Sequence, residues 1–200
     1  MDKGQLHFLL KSMLVCVFCA LIFPQAFANS AHQDNQLNKK RAGVLYNLSK
    51  FIDWPTQAFP NEKTAFNICL LGKVVFLDAL KTFEKRQIRG RTVRIHVLKN
   101  LATRRPIKIS DCQTLYINSS AKRSLPKILA ILNKKSILTI SDLPDFVLQG
   151  GMIGLLQVEK RVRFTINLDA AKSVNLVISA PLLRLAKSIK YKDSQINNPE

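Results

Sequence analysis

Apolar residues recur at three- and four-residue steps through Val44, Leu45, Leu48, Phe51 and Ile52, the period of a helix with one buried face. The pattern predicts a helix that starts at Lys39 and stops by Pro55, because the residue before a proline avoids helical backbone angles. The next run, Phe66-Asn67-Ile68-Cys69-Leu70-Leu71-Gly72, is short, apolar and closed by glycine, which predicts a buried strand. Val75, Leu77, Leu80 and Phe83 then give residues 74–85 a helical face. From Arg91 to Leu98 basic and apolar residues alternate, the mark of a strand with one wet face. Residues 99–109 are a basic connector without a clear period. Beyond it, Leu115-Tyr116-Ile117 predicts a third strand with Cys112 at its approach. Residues 124–133 predict a helix that tolerates Pro126 in its first turn, and Ile137-Leu138-Thr139-Ile140 a fourth strand.

The rhythm changes after Gly150-Gly151. Residues 152–158 and 161–167 are strand-like runs joined at Glu159-Lys160, which predicts a hairpin, although that pair is not a favoured tight-turn sequence. A helical turn at 168–173 and a closing helix at 181–190, with Leu182, Leu185, Ala186 and Ile189, complete the pattern. The polar stretches 29–38 and 191–200 are expected to be disordered. Strand–helix–strand units followed by a hairpin define an α/β protein, expected as a three-layer sandwich with a largely parallel central sheet and a C-terminal antiparallel hairpin. If the first and third strands are neighbours, Cys69 and Cys112 lie close together.

The first 28 residues have a different character. Lys3 and Lys11 precede and flank an uncharged apolar run, Ser12 to Phe23; Pro24 follows, then Ala26-Phe27-Ala28, the small-x-small pattern of a signal-peptidase site. The run is shorter than the about 20 residues a membrane-spanning helix needs, so an export signal cleaved after Ala28 is the expectation and an uncleaved anchor the alternative. Residues 39–190 are then one domain in the periplasm. Export changes the meaning of the cysteines: Cys69 and Cys112 are the pair left after cleavage, and in an oxidising compartment an even pair is expected to be bridged, with two buried thiols as the alternative.

The formal net charge is +18, and loss of Lys3, Lys11 and Asp2 with the signal lowers it by only one. A charge of this sign suits an anionic contact (a lipid or polysaccharide surface, an acidic protein, or nucleic acid, which export argues against) and equally a solubilising charge spread over all faces. Catalytic chemistry is sparse. His96 is the one histidine inside the predicted domain, and there is no HExxH, GxSxG, Walker A or CxxC pattern, so no enzyme class, metal or cofactor is implied. Gly150-Gly151-Met152-Ile153-Gly154 is followed by a strand-like run, not by the helix a phosphate cradle requires, and reads as a turn or bulge. Asp142 and Asp145 read as turn caps before they read as paired acid and base. Trp54, the lone tryptophan, suits a core position or a binding platform. Arg161 and Arg163, two apart on a strand, point to one face and suit an anionic ligand, an acidic partner or plain solvent. With Asn167 at the end of that strand they form the candidate binding set.

Several of these segments, in this order, resemble one family. Tyr46-Asn47-Leu48-Ser49-Lys50-Phe51-Ile52-Asp53-Trp54-Pro55 is similar to the opening helix and Trp-Pro stop of the YfiR family. Ile68-Cys69-Leu70-Leu71-Gly72, Gly90-Arg91, Leu138-Thr139-Ile140-Ser141-Asp142 and the glycine cluster follow in the expected order. Arg161 to Asn167 and Leu182-Leu183-Arg184-Leu185-Ala186 close it. The resemblance covers about residues 40–190. It implies a non-catalytic periplasmic repressor that binds the periplasmic sensory domain of an inner-membrane diguanylate cyclase, lowering cyclic di-GMP and biofilm formation. It also implies an outer-membrane lipoprotein as a second partner and is compatible with a homodimer. Cys69 and Cys112 match a cysteine pair found in many members; a second pair found in some relatives is missing, which leaves redox control through that bridge without its residues. A small-ligand sensor using the crevice at the carboxyl ends of the strands, and a non-specific polyanion binder, are the competing classes.

Overall fold

The computed structural model describes residues 24–100, 107–159, 161–191 and 194–197. By internal contacts the chain divides into residues 1–37 and 38–200, and every strand among the described residues belongs to the second unit. The apolar run and basic residues of the expected export signal lie outside the described residues.

Helix α1 (Pro24–Lys50) is longer than expected. It starts at Pro24 and includes residues 29–38. Proline is tolerated in a first helical turn, where its missing N–H has no partner to lose. A polar stretch without an apolar face gave no periodic signal there. Leu45, Leu48 and Ile52 of the predicted face are buried together with Ala42, Tyr46 and Ser49, whereas Val44 is half-buried and Phe51, just past the end of the helix, is exposed.

Strands β1 (Ile52–Asp53) and β9 (Val177–Ile178) pair antiparallel as a separate two-stranded sheet. The remaining strands are β2 (Phe66–Leu71), β3 (Gln87–Ile88), β4 (Arg91–Leu98), β5 (Thr114–Ile117), β6 (Leu138–Ser141), β7 (Ile153–Val158), β8 (Arg161–Asn167), β10 (Ser188–Tyr191) and β11 (Ser194–Asn197). Among the described residues they form one sheet in the order β11-β10-β8-β7-β6-β5-β2-β4-β3. The stretch β4-β2-β5-β6-β7 is parallel throughout. β8 returns antiparallel to β7 as the predicted hairpin, and β10 runs parallel to β8. The fold is therefore mixed α/β with a mostly parallel sheet.

All six residues of β2 are buried, as expected of a parallel strand covered on both faces. Its side chains alternate between two apolar clusters. Phe66, Ile68 and Leu70 join Leu45 and Leu48 of α1, whereas Cys69 and Leu71 join Leu125, Ile128 and Leu132 of α3 (Leu125–Leu132). Each such large side chain contributes about 1.5–3 kcal/mol by leaving water.

Two further expectations are corrected. The helix expected over 74–85 shrinks to α2 (Leu77–Lys81), because the chain turns back to supply β3 beside β4. The closing helix expected over 181–190 ends early. Residues 168–172 form the short helix α4 and 180–185 the short helix α5. Ala186 then turns extended, and Ser188, Ile189 and Lys190 pair with Thr165, Ile166 and Asn167. The 182/185/186/189 spacing suits a helix, but Leu185 is 62% exposed; edge pairing on β8 prevails over local period. β11 occupies part of the tail expected to be disordered, pairing Ser194 to Asn197 with β10.

Candidate functional site

The pairing of β2 with β5 brings the two cysteines together. Cys69 lies opposite Leu115, so Cys112 sits just before the start of β5, and the two form a disulfide with Cα atoms 5.9 Å apart. Cys69 is fully buried and Cys112 is 2% exposed. The bridge ties the entrance of β5 to the middle of β2 inside the second cluster.

Around this amino-terminal edge a buried amide network forms. Gln113 accepts from the Asn67 backbone N–H at 2.8 Å through Oε1 and donates through Nε2 to the Ala58 carbonyl at 2.8 Å. The Asn67 side chain donates to the Asp111 carbonyl, and its Oδ1 lies 3.1 Å from His96 Nε2. Trp54 Nε1 donates to the Gln113 carbonyl at 3.2 Å, and the indole meets Phe66 edge-on at 4.9 Å between centroids. Trp54 is therefore a packing and hydrogen-bonding post for this edge. Its half-buried position follows from the turn that Pro55 imposes at the end of α1 and β1.

His96 is held as a neutral base: burial lowers its pKa below 6.5, with Glu84 opposing and Arg94 adding to the shift. The unfolded chain binds this proton more readily, so the contribution is fully favourable above pH 6.5 and is lost as pH falls below it. We expect the urea midpoint to drop between pH 7.5 and pH 5.5, and the drop to be smaller in His96→Gln. Equal drops in both proteins would show that His96 is not the group responsible.

Arg161 and Arg163 point to one face of β8, as the spacing predicted, opposite Val158 and Leu156 of β7. The turn between β7 and β8 lies at the carboxyl edge of the parallel strands, whereas Trp54 contacts the residue preceding β5 at the amino edge. The structure thus does not bring Trp54 together with the hairpin arginines. Asn167 is 5% exposed and uses both ends of its amide: Oδ1 caps α4 by accepting from Ala170 N at 3.0 Å, and Nδ2 donates to the Val147 carbonyl at 2.9 Å. Its position is explained by the helix it starts.

The carboxyl edge carries its own polar cluster. Asp142 accepts from Ser119 N at 2.9 Å and from Asn118 Nδ2, and Ser141 Oγ donates to the Ile117 carbonyl at 2.6 Å. Asp142 is thus a turn cap, as expected, and Asp145 takes positive φ in the same turn. Burial, with the Asp142 carboxylate beside it, pushes the Tyr116 phenol pKa up and keeps it protonated. No group of three metal-ligating side chains stands together among the described residues.

One surface had no sequence signal. In the β1–β9 pair Ile52 and Ile178 face the core, so Phe51, Asp53 and Val177 fall on the outer face. Phe51 is 38% and Val177 59% exposed, and Asp53 is ion-paired with Arg89. Two-residue strands are too short to show a period, so only the tertiary pairing creates this face.

The class these features define is a mixed α/β domain whose mostly parallel sheet carries a buried disulfide between β2 and the approach to β5. The chain belongs to the YfiR/HmsC-like family (DUF4154), whose model matches residues 38–187. Comparison with curated proteins returns no match. No helix among the described residues is long and apolar enough to cross a membrane.

Proposed function

We propose that the protein is a periplasmic repressor that binds the periplasmic sensory domain of an inner-membrane diguanylate cyclase and holds it inactive, lowering cyclic di-GMP and biofilm formation. The observation that carries this reading is membership of the YfiR/HmsC-like family over residues 38–187. The acting form is the domain at residues 39–190, freed by cleavage after Ala28, with its sheet as the middle of three layers. An outer-membrane lipoprotein that sequesters the repressor completes the circuit, and a homodimer is compatible with it.

Control of this kind needs no bond-making. A regulator that binds one state of its target better than another shifts the balance between them, and a swing from mostly active to mostly inactive takes about 5 kcal/mol of differential affinity. A few buried apolar anchors with a charged rim supply that range. Phe51 and Val177 suit the anchors, and Arg161 and Arg163 the rim. The test is repression of the cyclase by folded variants. Val177→Asp is expected to weaken repression by at least about tenfold, as loss of a buried anchor does, and the double charge reversal Arg161→Glu/Arg163→Glu to slow association. Full repression by both variants would remove these surfaces from the account.

A further inference from the structure

The parallel strands reverse their order of addition between β2 and β5: after β2 the chain adds β4 on one side, then crosses to add β5, β6 and β7 on the other. In open α/β sheets a ligand crevice lies outside the carboxyl ends of the strands at such a reversal. This protein has a crevice of about 430 Å³ at that place, lined by the end of β2, the residues after β4 and the turn after β5. The volume is in the range of small-molecule sites.

Its chemistry has one sign. Lys99 and Lys127 bring ammonium groups, Ser120 and Ser124 bring hydroxyls, and no carboxylate is among the lining residues described. A second crevice, about 320 Å³ at the amino edge, mixes Asp111 with Lys134 and Lys135 and so lacks that selectivity. The floor is also built. Gly72 takes φ +98°, and a Cβ there would stand 2.6 Å from Ser120 Oγ, so only glycine lets the chain leave β2 this close to the turn. The next amide, Lys73 N, donates to Ser120 Oγ at 2.9 Å and fixes the position of the hydroxyl oxygen. Ser124 stands before α3 without a side-chain capping bond, so its hydroxyl is not engaged there. Asp142, at the same edge of the sheet, accepts from Ser119 N and Asn118 Nδ2.

We propose that this crevice binds a small multivalent oxyanion, a phosphate or a polycarboxylate, between Lys99 and Lys127 with Ser120 and Ser124 as hydrogen-bond donors. Charge-assisted hydrogen bonds from two ammonium groups favour a ligand with at least two anionic oxygens over chloride. The proposal is independent of which protein the domain binds.

The test is titration of the purified protein with inorganic phosphate and, separately, citrate, against sodium chloride at matched ionic strength, read by thermal unfolding and by amide NMR shifts. The expected result is a saturable rise in melting temperature with phosphate or with citrate, because a ligand that binds only the folded state stabilises it. Shifts centre on Gly72, Ser120 and Ser124. Saturation by phosphate alone assigns a phosphoryl ligand, and by citrate alone a carboxylate. Lys99→Gln/Lys127→Gln is expected to weaken binding at least about tenfold, and Lys127→Gln alone by less, while Lys134→Gln/Lys135→Gln leaves it unchanged. No saturable effect from either anion, or equal loss in the Lys134/Lys135 variant, would overturn the proposal.

Discussion

Replacing Cys69 and Cys112 together by alanine is expected to cost about 4 kcal/mol of folding stability. The bridge closes a loop of sequence separation 43, and in the chain-entropy model a loop of that length restricts the unfolded ensemble by about this amount. Loss of packing adds to it, since both sulfurs lie in the apolar cluster shared with Leu125 and Ile128. Urea unfolding of the wild type and the double variant measures the difference directly. A reductant should have little effect on the folded wild type at neutral pH, because Cys69 is fully buried, and should act at the rate of unfolding. A loss under about 1 kcal/mol, or rapid reduction of the folded protein, would show that the bridge is an accessible switch and not a staple.

Gly151→Ala is expected to be the most damaging single methyl addition, costing about 3 kcal/mol, at the upper end of overpacking effects. A methyl group at that position overlaps the ring of Phe146, which is 1% exposed and enclosed by the second apolar cluster, so the ring has no room to yield. The neighbouring Gly150→Ala is the informative control. Gly150 takes φ +97°, but its added Cβ would meet only Leu129 at 3.8 Å, an ordinary contact. Its cost is backbone strain alone, about 1 kcal/mol. Thermal or urea unfolding of the two variants separates a steric requirement from a conformational one. Equal losses would mean that Phe146 moves aside.

These two glycines show what the sequence revealed and what it hid. The pair reads as a turn, and Gly150 with its positive φ is that turn; nothing in the sequence distinguishes Gly151, whose need is set by a side chain five residues earlier folding back over it. The same division runs through the fold. Strands β2, β4, β5 and β6 were legible because four- to eight-residue apolar or alternating runs have one economical conformation once flanked by glycine or polar turns. The β7–β8 hairpin was legible despite its turn, where Glu159 adopts φ +52° without the glycine or asparagine that usually signals it. The end of the chain was not legible, because Leu182, Leu185, Ala186 and Ile189 satisfy a helical period while the edge of β8 recruits residues 188–190 as a strand.

The candidate site divides in the same way. Cys69 and Cys112 were expected to be bridged as the even pair left after export, the β2–β5 adjacency that joins them being supplied by the structure, and Arg161 and Arg163 could be placed on one face from a period of two. Trp54 and Asn167 carry roles that only the tertiary structure discloses, one bonded to the Gln113 carbonyl and the other capping α4. The outward face of β1 and β9 arises between segments more than a hundred residues apart, where no local pattern exists to be read.

The central claim is that this protein acts by holding another. The most direct measurement adds the purified protein to inner membranes that contain its cyclase and follows both binding and cyclic di-GMP synthesis. The account predicts saturable binding through the cyclase's periplasmic domain and a parallel fall in synthesis, both weakened by Val177→Asp. Undiminished synthesis at concentrations that saturate binding, or no binding at all, would contradict it.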